Sequence, residues 1–481
     1  MVAEMSRPSQ LTGREFNLYI GGRAVKGATT MPVINPATEE IVALCPRANE
    51  AQLNEAVAQA KSAFPAWSRK PIAERRALIL KIADAVEKRT SEIAELITAE
   101  QGKTIGDATG EVMGTAYMMR ILAQLDLPVE VIKEDANGKV VLHRTPLGVV
   151  AAITPWNVPV ALLAIKATPA LLAGNTVVAK PAPTTPLSSL VFGEICNAIL
   201  PAGVFNIITD LNDLGGQLSN HPDVAKVSFT GSTATGRKVL QSGAATFKRV
   251  TLELGGNDAA IVLDDVDPKA IAPKLFPAAM INSGQICLAA KRVYVPESMY
   301  DAICEELAKL ARETVIGNGL DPKTQYGPVQ NKAQYEKVKA YIESARKQGR
   351  IIAGGEIPEG PGYFVRPTIV RDIPDDASLV CEEQFGPIMP VLKYKTIDEV
   401  IERANKSDYG LGGTVWAKDP QKGLEVAMKL DSGLLWVNQH MTVDPGISTG
   451  GAKHSGIGRE LGPEGLHEFT QAHTIYVANA F

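Results

Sequence analysis

The sequence is short of cysteine and has none of the arrangements in which cysteine builds a framework. Five cysteines occur among 481 residues, an odd number, and no two of them form a CxxC pair. Such usage excludes a zinc site of the usual spacing and is typical of reduced thiols in the cytosol. The sequence therefore predicts a cytoplasmic protein without a bound metal.

A block of lysine and arginine is also missing. The formal net charge is −4, with 49 basic and 53 acidic residues. Proteins that bind nucleic acid need a basic surface to meet the phosphates. We therefore expect no nucleic-acid partner.

No apolar stretch has the pattern of a membrane segment or of a signal peptide. The first residues, Met1 to Leu18, lack the apolar region that a signal peptide needs after its positive charge. The longest uncharged run, Thr145 to Ile165, is interrupted by Pro155, Asn157 and Pro159. This run indicates a buried strand, a polar turn and a packed helix, so we expect no membrane partner.

At 481 residues the chain is too long for one hydrophobic core, and two or three domains are expected. Hydrophobic residues make up 45% and charged residues 21%, which is typical of a globular enzyme. Internal repeats, low-complexity segments and flexible linkers are absent from the sequence.

The first part of the chain predicts a hairpin followed by helices and a β-ribbon. The hairpin covers residues 17–25, and the helices cover residues 51–64, 72–88, 91–100 (with Ser91 as N-cap) and 111–125. Alternating strands at 129–133 and 139–143 are joined across Asn137-Gly138, a strong hairpin signal. Because a two-stranded ribbon is marginal alone, we expect it to pack against another element, such as another subunit.

From Gly148 onward, short apolar strands alternate with helices. Strands are predicted at 149–153, 176–179, 204–208, 224–229 and 250–254, and helices at 160–172, 187–199 and 234–242. A second series has strands near 259–262, 293–295, 413–417 and 433–437, and a last strand covers 470–478. Continuous apolar strands separated by helices favour an α/β fold with a parallel sheet covered on both faces.

Cys287 is the strongest candidate for a nucleophile. It ends a Gly284-Gln-Ile-Cys287 segment, and none of the other cysteines lies in such a polar, glycine-bearing turn. The alternative interpretation is a buried thiol that serves only as a small apolar side chain.

Further candidates lie where predicted strands end, because parallel sheets bind ligands at that edge. Asn157 could donate an amide hydrogen to a developing oxyanion, and Lys180 suits a ribose or phosphate oxygen. The small residues from Thr230 to Gly236 would let a helix N-terminus face a phosphate, although a plain strand–helix turn fits equally. Glu253 stands between two leucines; if buried it would have a raised pKa and suit a general base.

Taken together, these segments resemble the aldehyde dehydrogenase superfamily. The matching segments are Thr154–Asn157, Lys180-Pro181, Phe229–Ser232, Leu252–Gly256, Gly284–Cys287, Glu382–Pro387, Gly450–Gly456 and Gly458–Glu460. They occur in the family's order and cover nearly the whole chain.

The resemblance implies a reaction and a set of roles. Cys287 would attack an aldehyde carbonyl, Asn157 would hold the oxyanion, and Glu253 would activate the water that releases the acid. Contacts to a nicotinamide cofactor would come from Trp156, Lys180, Gly231, Ser232, Gly255, Glu383 and Phe385.

It also implies a three-part architecture. A Rossmann-type NAD(P)-binding domain would comprise residues 1–124 and 147–254, and an α/β catalytic domain residues 255–466. Residues 125–146 and 467–481 would form an oligomerisation ribbon of a homodimer or homotetramer.

The cofactor and substrate positions depart from the family's common pattern. Many NAD-preferring members carry a glutamate three residues after the lysine, where this chain has Pro183. NAD is still expected, because no arginine or second lysine lies nearby in the sequence, but NADP is possible. The predicted substrate pocket has Val158, Ile165, Ile281 and Thr449 where relatives often have aromatic rings. An uncharged medium-chain or aromatic aldehyde is therefore expected.

Three other functions fit part of the pattern. A coenzyme-A-acylating semialdehyde dehydrogenase is the nearest alternative, but such members tend to lack the glutamate at Glu253. A nitrilase-type hydrolase would use cysteine, glutamate and lysine, yet it would leave the turn at residues 229–236 and Glu383 unexplained. A non-catalytic relative is disfavoured because no catalytic position is missing.

Overall fold

The computed structural model describes residues 14–244 and 246–479. Residues 1–13, on which the signal-peptide prediction chiefly rests, lie outside the described residues, as do residues 480–481 of the predicted ribbon. The helices are α1 (Glu50–Ser68), α2 (Ile72–Lys88), α3 (Thr90–Gln101), α4 (Ile105–Ala123), α5 (Pro159–Ala173), α6 (Leu187–Ile199), α7 (Gly215–Asn220), α8 (Thr233–Ala244), α9 (Pro268–Met280), α10 (Tyr300–Glu313), α11 (Lys332–Gln348), α12 (Ser378–Cys381), α13 (Ile397–Asn405), α14 (Pro420–Ala427) and α15 (Gly462–His467).

The strands form two large sheets, a three-stranded ribbon and two small pairs. They are β1 (Leu18–Ile20), β2 (Arg23–Val25), β3 (Thr29–Ile34), β4 (Ile41–Arg47), β5 (Glu130–Asp135), β6 (Gly138–Pro146), β7 (Val149–Ile153), β8 (Thr176–Lys180), β9 (Phe205–Ile207), β10 (Val224–Thr230), β11 (Arg249–Glu253), β12 (Asp258–Val262), β13 (Ala290–Pro296), β14 (Arg350–Ala353), β15 (Thr368–Arg371), β16 (Ile388–Tyr394), β17 (Tyr409–Gly410), β18 (Gly412–Trp416), β19 (Leu434–Val437), β20 (Ala452–Lys453), β21 (Gly456–Ile457) and β22 (Thr470–Ala478).

The first sheet has the order β2-β1-β9-β8-β7-β10-β11-β21. Strands β9, β8, β7, β10 and β11 are parallel, while β1 and β21 pair antiparallel at the two ends. Every residue of β7 and β8 is buried, as expected for strands covered on both faces. Alternate residues point to opposite faces: Val150 and Ala152 join one apolar cluster, and Val149 and Ala151 join another.

The second sheet repeats this plan with the order β14-β15-β16-β13-β12-β18-β19. Strands β15, β16, β13, β12, β18 and β19 are parallel, and β14 is antiparallel at one edge. The chain passes from β11 in the first sheet to β12 in the second through only residues 254–257. The carboxyl end of the first sheet is thereby tied to the start of the second.

The ribbon consists of β22, β6 and β5, with β6 in the middle. The C-terminal strand β22 pairs antiparallel with β6 from Thr470↔Pro146 to Ala478↔Gly138. Every residue of β5 is exposed, including Val131 and Ile132. The predicted partner of the hairpin, the C-terminal strand, is thus observed, although the turn residues are Ala136 and Asn137 rather than Asn137 and Gly138.

Four predicted elements are confirmed with their ends: α2 at 72–88, β7 at 149–153, α6 at 187–199 and β22 at 470–478. Two predicted helix starts are wrong. Arg89 rather than Ser91 precedes α3, and α4 begins at Ile105 rather than Glu111. The Thr104 side chain accepts a hydrogen bond from Asp107 N at this end, so an effective cap starts the helix ahead of Gly106 and Gly110.

The sequence-based prediction also missed several strands. The β3–β4 pair contains Pro32 and Pro46, and β16 contains Pro390, which weakens the sequence signal for a strand. In the second sheet, β16 nevertheless lies between β13 and β15, where burial of six of its seven residues outweighs the proline. Within the described ranges, no helix is both long and apolar enough to cross a membrane.

Candidate active site

Cys287 lies in a short loop between α9 and β13 and lines a cleft of about 170 Å³. A single turn of 3₁₀ helix, Ile281–Gly284, precedes it. Asn282 and Ser283 have φ values of 51° and 54° there, a left-handed conformation that asparagine tolerates better than most residues. The Ser283 hydroxyl donates to the carbonyl oxygen of Gly327, which helps to hold this unusual turn.

Asn157 is positioned by the end of β7 and the beginning of α5. Its side chain is 3% exposed, and its Nδ2 donates to the carbonyl oxygen of Gln285 at 2.9 Å. Its Oδ1 has no hydrogen-bond partner among the described residues. The loop of Cys287 and the turn of Asn157 are therefore joined directly, and both residues line the same cleft.

The surroundings of Cys287 keep its thiol protonated in the free protein. Burial raises the pKa of the Cys287 thiol, and the carboxyls of Glu383 and Glu253 raise that pKa further. Both effects disfavour a thiolate, because the charge would lose water and meet other negative charges. A nucleophilic thiolate here requires a proton acceptor or an added positive charge.

Glu253 is the last residue of β11 and is half-buried. Its Oε1 has no hydrogen-bond partner within residues 14–244 and 246–479. Burial raises the pKa of the Glu253 carboxyl to about 8, and the negative charge of Glu460 adds to the shift. A carboxyl with a free oxygen and a pKa close to the working pH suits proton transfer.

Lys166 and Glu460, to which the sequence assigned no role, act on Glu253 through their charges. Lys166 of α5 is fully buried and donates to Glu460 Oε1 at 2.5 Å, and to the Ser228 hydroxyl at 3.3 Å. Glu460 also exchanges two backbone hydrogen bonds of 2.8 Å with Thr449. A lysine inside an apolar helix gave no sequence signal for this pairing, because its partner is almost 300 residues away.

Glu383 lines the same cleft, although it comes much later in the sequence than Asn157 and Glu253. Its Oε1 accepts a hydrogen bond from the backbone N–H of Gly256 at 2.9 Å. Gly255 has no room for a side chain, because a Cβ there would lie 2.5 Å from Glu383 Oε2. Burial raises the pKa of the Glu383 carboxyl, and the Gly256 N–H opposes that shift.

Trp156 and Phe385 form an aromatic wall of the same cleft. Their rings meet edge to face, with centroids 5.3 Å apart. Phe385 has a φ of 52°, and Gln334 Nε2 donates to its carbonyl oxygen at 3.0 Å. A flat ring system could pack against this wall.

A second cleft of about 640 Å³ adjoins the first, and both are lined by Trp156, Gly231 and Ser232. Lys180 lines it and is buried, with its Nζ 2.6 Å from Asp210 Oδ1. Ser232 precedes α8, and its hydroxyl accepts from Thr235 N at 3.3 Å. Lys238 of α8 lies in the same lining. No second lysine lies near Lys180 in the sequence, but the fold brings Lys238 into the lining of the same cleft.

The four residues predicted for the substrate pocket do not line either cleft. Val158 and Ile165 are half-buried at the start and middle of α5. Thr449 is linked to the site by its backbone hydrogen bonds to Glu460. Ile281 is 36% exposed and lies in a separate groove with Phe276 and Tyr326. The fold therefore brings Thr449 close to the catalytic candidates and sets Ile281 apart from the two clefts.

The other cysteines are also free thiols, and three of the five are buried. All five cysteines lie in the described part of the chain and are free thiols. Cys196 and Cys304 are buried on α6 and α10. Among the described residues, no group of three or more His, Cys, Asp or Glu side chains is arranged to hold a metal ion.

Comparison with known proteins adds an independent line of evidence. The model of the aldehyde dehydrogenase family matches residues 24–475. A probable aldehyde dehydrogenase from a Pseudomonas species is 40% identical over 467 residues, which cover 96% of this chain and 94% of that protein. Phenylacetaldehyde dehydrogenase from Pseudomonas fluorescens is 38% identical over 480 residues, covering 96% and 95%. The NAD+ complex of an aldehyde dehydrogenase from Bacillus cereus is 36% identical and superposes with a TM-score of 0.95 over 98% of both chains.

Proposed function

The chain belongs to the aldehyde dehydrogenase family, and from this premise we propose that it oxidises an uncharged medium-chain or aromatic aldehyde to the carboxylic acid with NAD. One observation carries the proposal: Cys287, Asn157 and Glu383 line a single cleft that continues into the cleft of Lys180. A nucleophile, an amide donor and a dinucleotide-sized groove are thus contiguous.

The lining of the two clefts fits a dinucleotide. The hydroxyls of Thr154, Thr184 and Thr230 are buried in the larger cleft without a hydrogen-bond partner among the described residues. Buried polar atoms are normally paired, so a polar ligand would supply what they lack. The N-terminus of the 12-residue α8 faces this cleft and favours a negative charge such as a pyrophosphate.

The first chemical step would be attack of the Cys287 sulfur on the aldehyde carbon. The carbonyl oxygen becomes negative as the carbon–sulfur bond forms, and it needs donors at that moment. The second hydrogen of Asn157 Nδ2 and the backbone N–H of Cys287 would stabilise it. The thiol proton would leave to Glu253, whose free Oε1 and raised pKa suit it to receive one.

The second step would convert the resulting thiohemiacetal to a thioester on Cys287. When bound, the nicotinamide supplies the acceptor for the hydride and a positive charge near the sulfur. Trp156 and Phe385 would hold its ring, and Glu383 would bind the hydroxyls of the adjoining ribose. These residues orient the reacting atoms and exclude water from the cleft.

The last step would be hydrolysis of the thioester. Glu253, once it has released the thiol proton to solvent, would take a proton from water, whose oxygen attacks the acyl carbon. Cys287 would leave as a thiolate and regain that proton from Glu253. Lys166 and Glu460 would tune this base, since Glu460 raises the pKa of Glu253 and Lys166 opposes that rise. A coenzyme-A-acylating enzyme does not need this water-activating carboxylate, so Glu253 counts against that alternative.

NAD rather than NADP is proposed because of the buried pair at Lys180. Its partner Asp210 is fully buried, and Asp210 Oδ2 also accepts from Leu214 N at 2.8 Å. The pair sums to zero charge, so Lys180 itself offers no free positive charge for an extra phosphate, although Lys238 also lines this cleft. Asp210 would thereby compensate for the missing carboxylate at Pro183.

An uncharged substrate is proposed because apolar side chains are exposed on α4 and on the segment that leads to Thr449. Helix α4 exposes Met113 and Tyr117, one turn apart, and Ile447 is exposed in the segment that leads to Thr449. The two regions are neighbours, since the Cβ position of Gly446 lies 3.8 Å from Ile121 Cγ2 on α4. Phenylacetaldehyde dehydrogenase of Pseudomonas fluorescens, 38% identical, makes an aromatic aldehyde the first substrate to test.

The proposal extends to assembly and compartment. The fully exposed strand β5, with Val131 and Ile132, would be covered by a second copy in a homodimer or homotetramer. Free thiols, including the exposed Cys381, suit the reducing cytoplasm. No nucleic-acid or membrane partner is proposed.

The test follows the absorbance of reduced nicotinamide with phenylacetaldehyde, hexanal and succinic semialdehyde, each with NAD and NADP. Wild-type protein is expected to oxidise the first two with NAD, and Cys287→Ala is expected to be inactive. Preference for succinic semialdehyde would overturn the substrate proposal. Activity that persists in Cys287→Ala would overturn the mechanism.

A further inference from the structure

Asn157 is held from behind by a buried ion pair that touches neither cleft. Lys103 Nζ donates to the backbone oxygen of Asn157 at 2.9 Å and lies 2.6 Å from Glu111 Oε2. Both side chains are 4% exposed. An ion pair this deeply buried contributes little net stability, so its geometry rather than its energy is the notable property.

Glu111 holds the other end of the same turn. Helix α5 begins after Val158, which has no capping side chain. Glu111 Oε1, on α4, accepts from Val160 N at 3.0 Å and is 3.4 Å from Ala161 N. A carboxylate from a neighbouring helix thus replaces the missing cap and meets the positive end of α5.

A second support comes from the loop of the nucleophile. Asn282 Nδ2 donates to the same backbone oxygen of Asn157 at 3.2 Å, and Gln101 Nε2 donates to Asn282 Oδ1 at 3.0 Å. Gln101 and Lys103 flank Gly102, whose φ of 96° ends α3. The short α3–α4 junction therefore holds both the turn of Asn157 and the loop that leads to Cys287.

We propose that Lys103 and Glu111 are positioning residues for the oxyanion site, fixing Asn157 Nδ2 relative to the Cys287 sulfur. This inference rests on the proposed function, in which Asn157 Nδ2 stabilises the oxyanion. Displacement of a catalytic group by about 1 Å costs on the order of 100-fold in rate, so loosening this turn matters for the reaction. The pair acts through Asn157 and touches no substrate.

The variant that isolates this role is Lys103→Met together with Glu111→Gln. It removes one positive and one negative charge, so the net charge near Cys287 stays the same. The amide oxygen of the new glutamine still accepts from Val160 N, while the donor to Asn157 is lost. Replacing both partners avoids the unpaired buried charge that a single substitution would leave.

Two reactions of Cys287 that need no cofactor separate positioning from general loosening. Attack on p-nitrophenyl acetate forms a carbon–sulfur bond, passes through a tetrahedral oxyanion and expels p-nitrophenolate. Alkylation by iodoacetamide forms a carbon–sulfur bond and expels iodide without an oxyanion. The double variant is expected to lose at least about tenfold in the ester reaction and to keep its alkylation rate within about twofold.

Asn157→Ala serves as the reference, with the same selective loss expected. A second variant, Asn282→Gly, removes the other donor to Asn157 without touching a buried charge, and glycine suits the φ of 51°. It should show the same pattern if the double variant does not fold. Two outcomes would overturn this inference and leave the oxyanion assignment intact. One is an equal loss of both reactions. The other is no loss of either reaction while Asn157→Ala loses the ester reaction. An unchanged ester reaction in Asn157→Ala would overturn the oxyanion assignment together with it.

Discussion

Two half-buried carboxyls near Cys287 differ in how their oxygens are used. Glu253 leaves Oε1 without a partner among the described residues, and burial raises the pKa of its carboxyl to about 8 although a backbone hydrogen bond from Gly451 opposes that rise. Glu383 accepts a backbone hydrogen bond from Gly256, which opposes the rise of its pKa. A free oxygen at a raised pKa suits a group that moves protons, while a fixed oxygen suits a group that binds. The comparison teaches that the partners of a carboxyl, rather than its burial, separate these roles.

The largest effect is expected from Glu253→Gln. Loss of the base should lower kcat by about 10²- to 10⁴-fold, because water is no longer activated for thioester hydrolysis. Stopped-flow absorbance should still show a first burst of reduced nicotinamide, because the positive charge of bound NAD favours the Cys287 thiolate when the base is missing. A variant that retains full steady-state turnover would remove the distinction between the two carboxyls.

Glu383→Gln should have a smaller and different effect. The amide oxygen can still accept from Gly256 N, but a charged acceptor for the ribose hydroxyls is lost, worth about 1.5 kcal/mol or roughly tenfold. KM for NAD is expected to rise by that factor, as measured by initial rates at saturating aldehyde. A fall in kcat as deep as that of Glu253→Gln would contradict the binding role.

Asp210 extends the comparison to a carboxylate that is paired with a charge. Asp210→Asn should free Lys180 to meet a phosphate and raise the ratio of kcat/KM for NADP over NAD by about tenfold. Pro183→Glu is the matched control, since a carboxylate added at that position should lower the same ratio. An unchanged ratio in Asp210→Asn would show that the ion pair does not govern cofactor choice.

The smallest effect concerns stability and pH. Since the pKa of Glu253 is raised from 4.5 to about 8 in the folded state, the folded protein binds more protons than the unfolded chain between these values. The contribution of Glu253 is thus most favourable below the unfolded pKa and is lost as pH rises toward 8. Urea unfolding at pH 5 and pH 8 should give a smaller difference in midpoint for Glu253→Gln than for wild type. An equal difference in both proteins would contradict this.

The sequence predicted the parts of the fold in which local pattern and tertiary structure agree. The fully buried strands β7 and β8 and the helix α6 have continuous apolar runs or a clear helical period, and their positions were close to those observed. Strand β16 was missed because Pro390 contradicts local strand propensity while sheet pairing on both sides overrides it.

The candidate site was predictable only where residues lie in recognisable segments. Cys287, Asn157 and Glu253 follow strands or glycine-bearing turns, so their types and positions carried a signal. Lys103, Glu111, Lys166 and Asp210 did not, because each depends on a partner brought close by the fold rather than by the sequence.

The direct passage from β11 to β12 has a consequence for recombining members of this family. Glu253 ends a strand of one sheet and Asp258 begins a strand of the other, and a Cβ on Gly256 between them would lie 2.2 Å from the carbonyl oxygen of Cys287. A chimaera spliced within residues 254–257 would take its base from one parent and its thiol from the other. Useful crossovers should therefore fall outside residues 249–290, so that one parent supplies this whole segment.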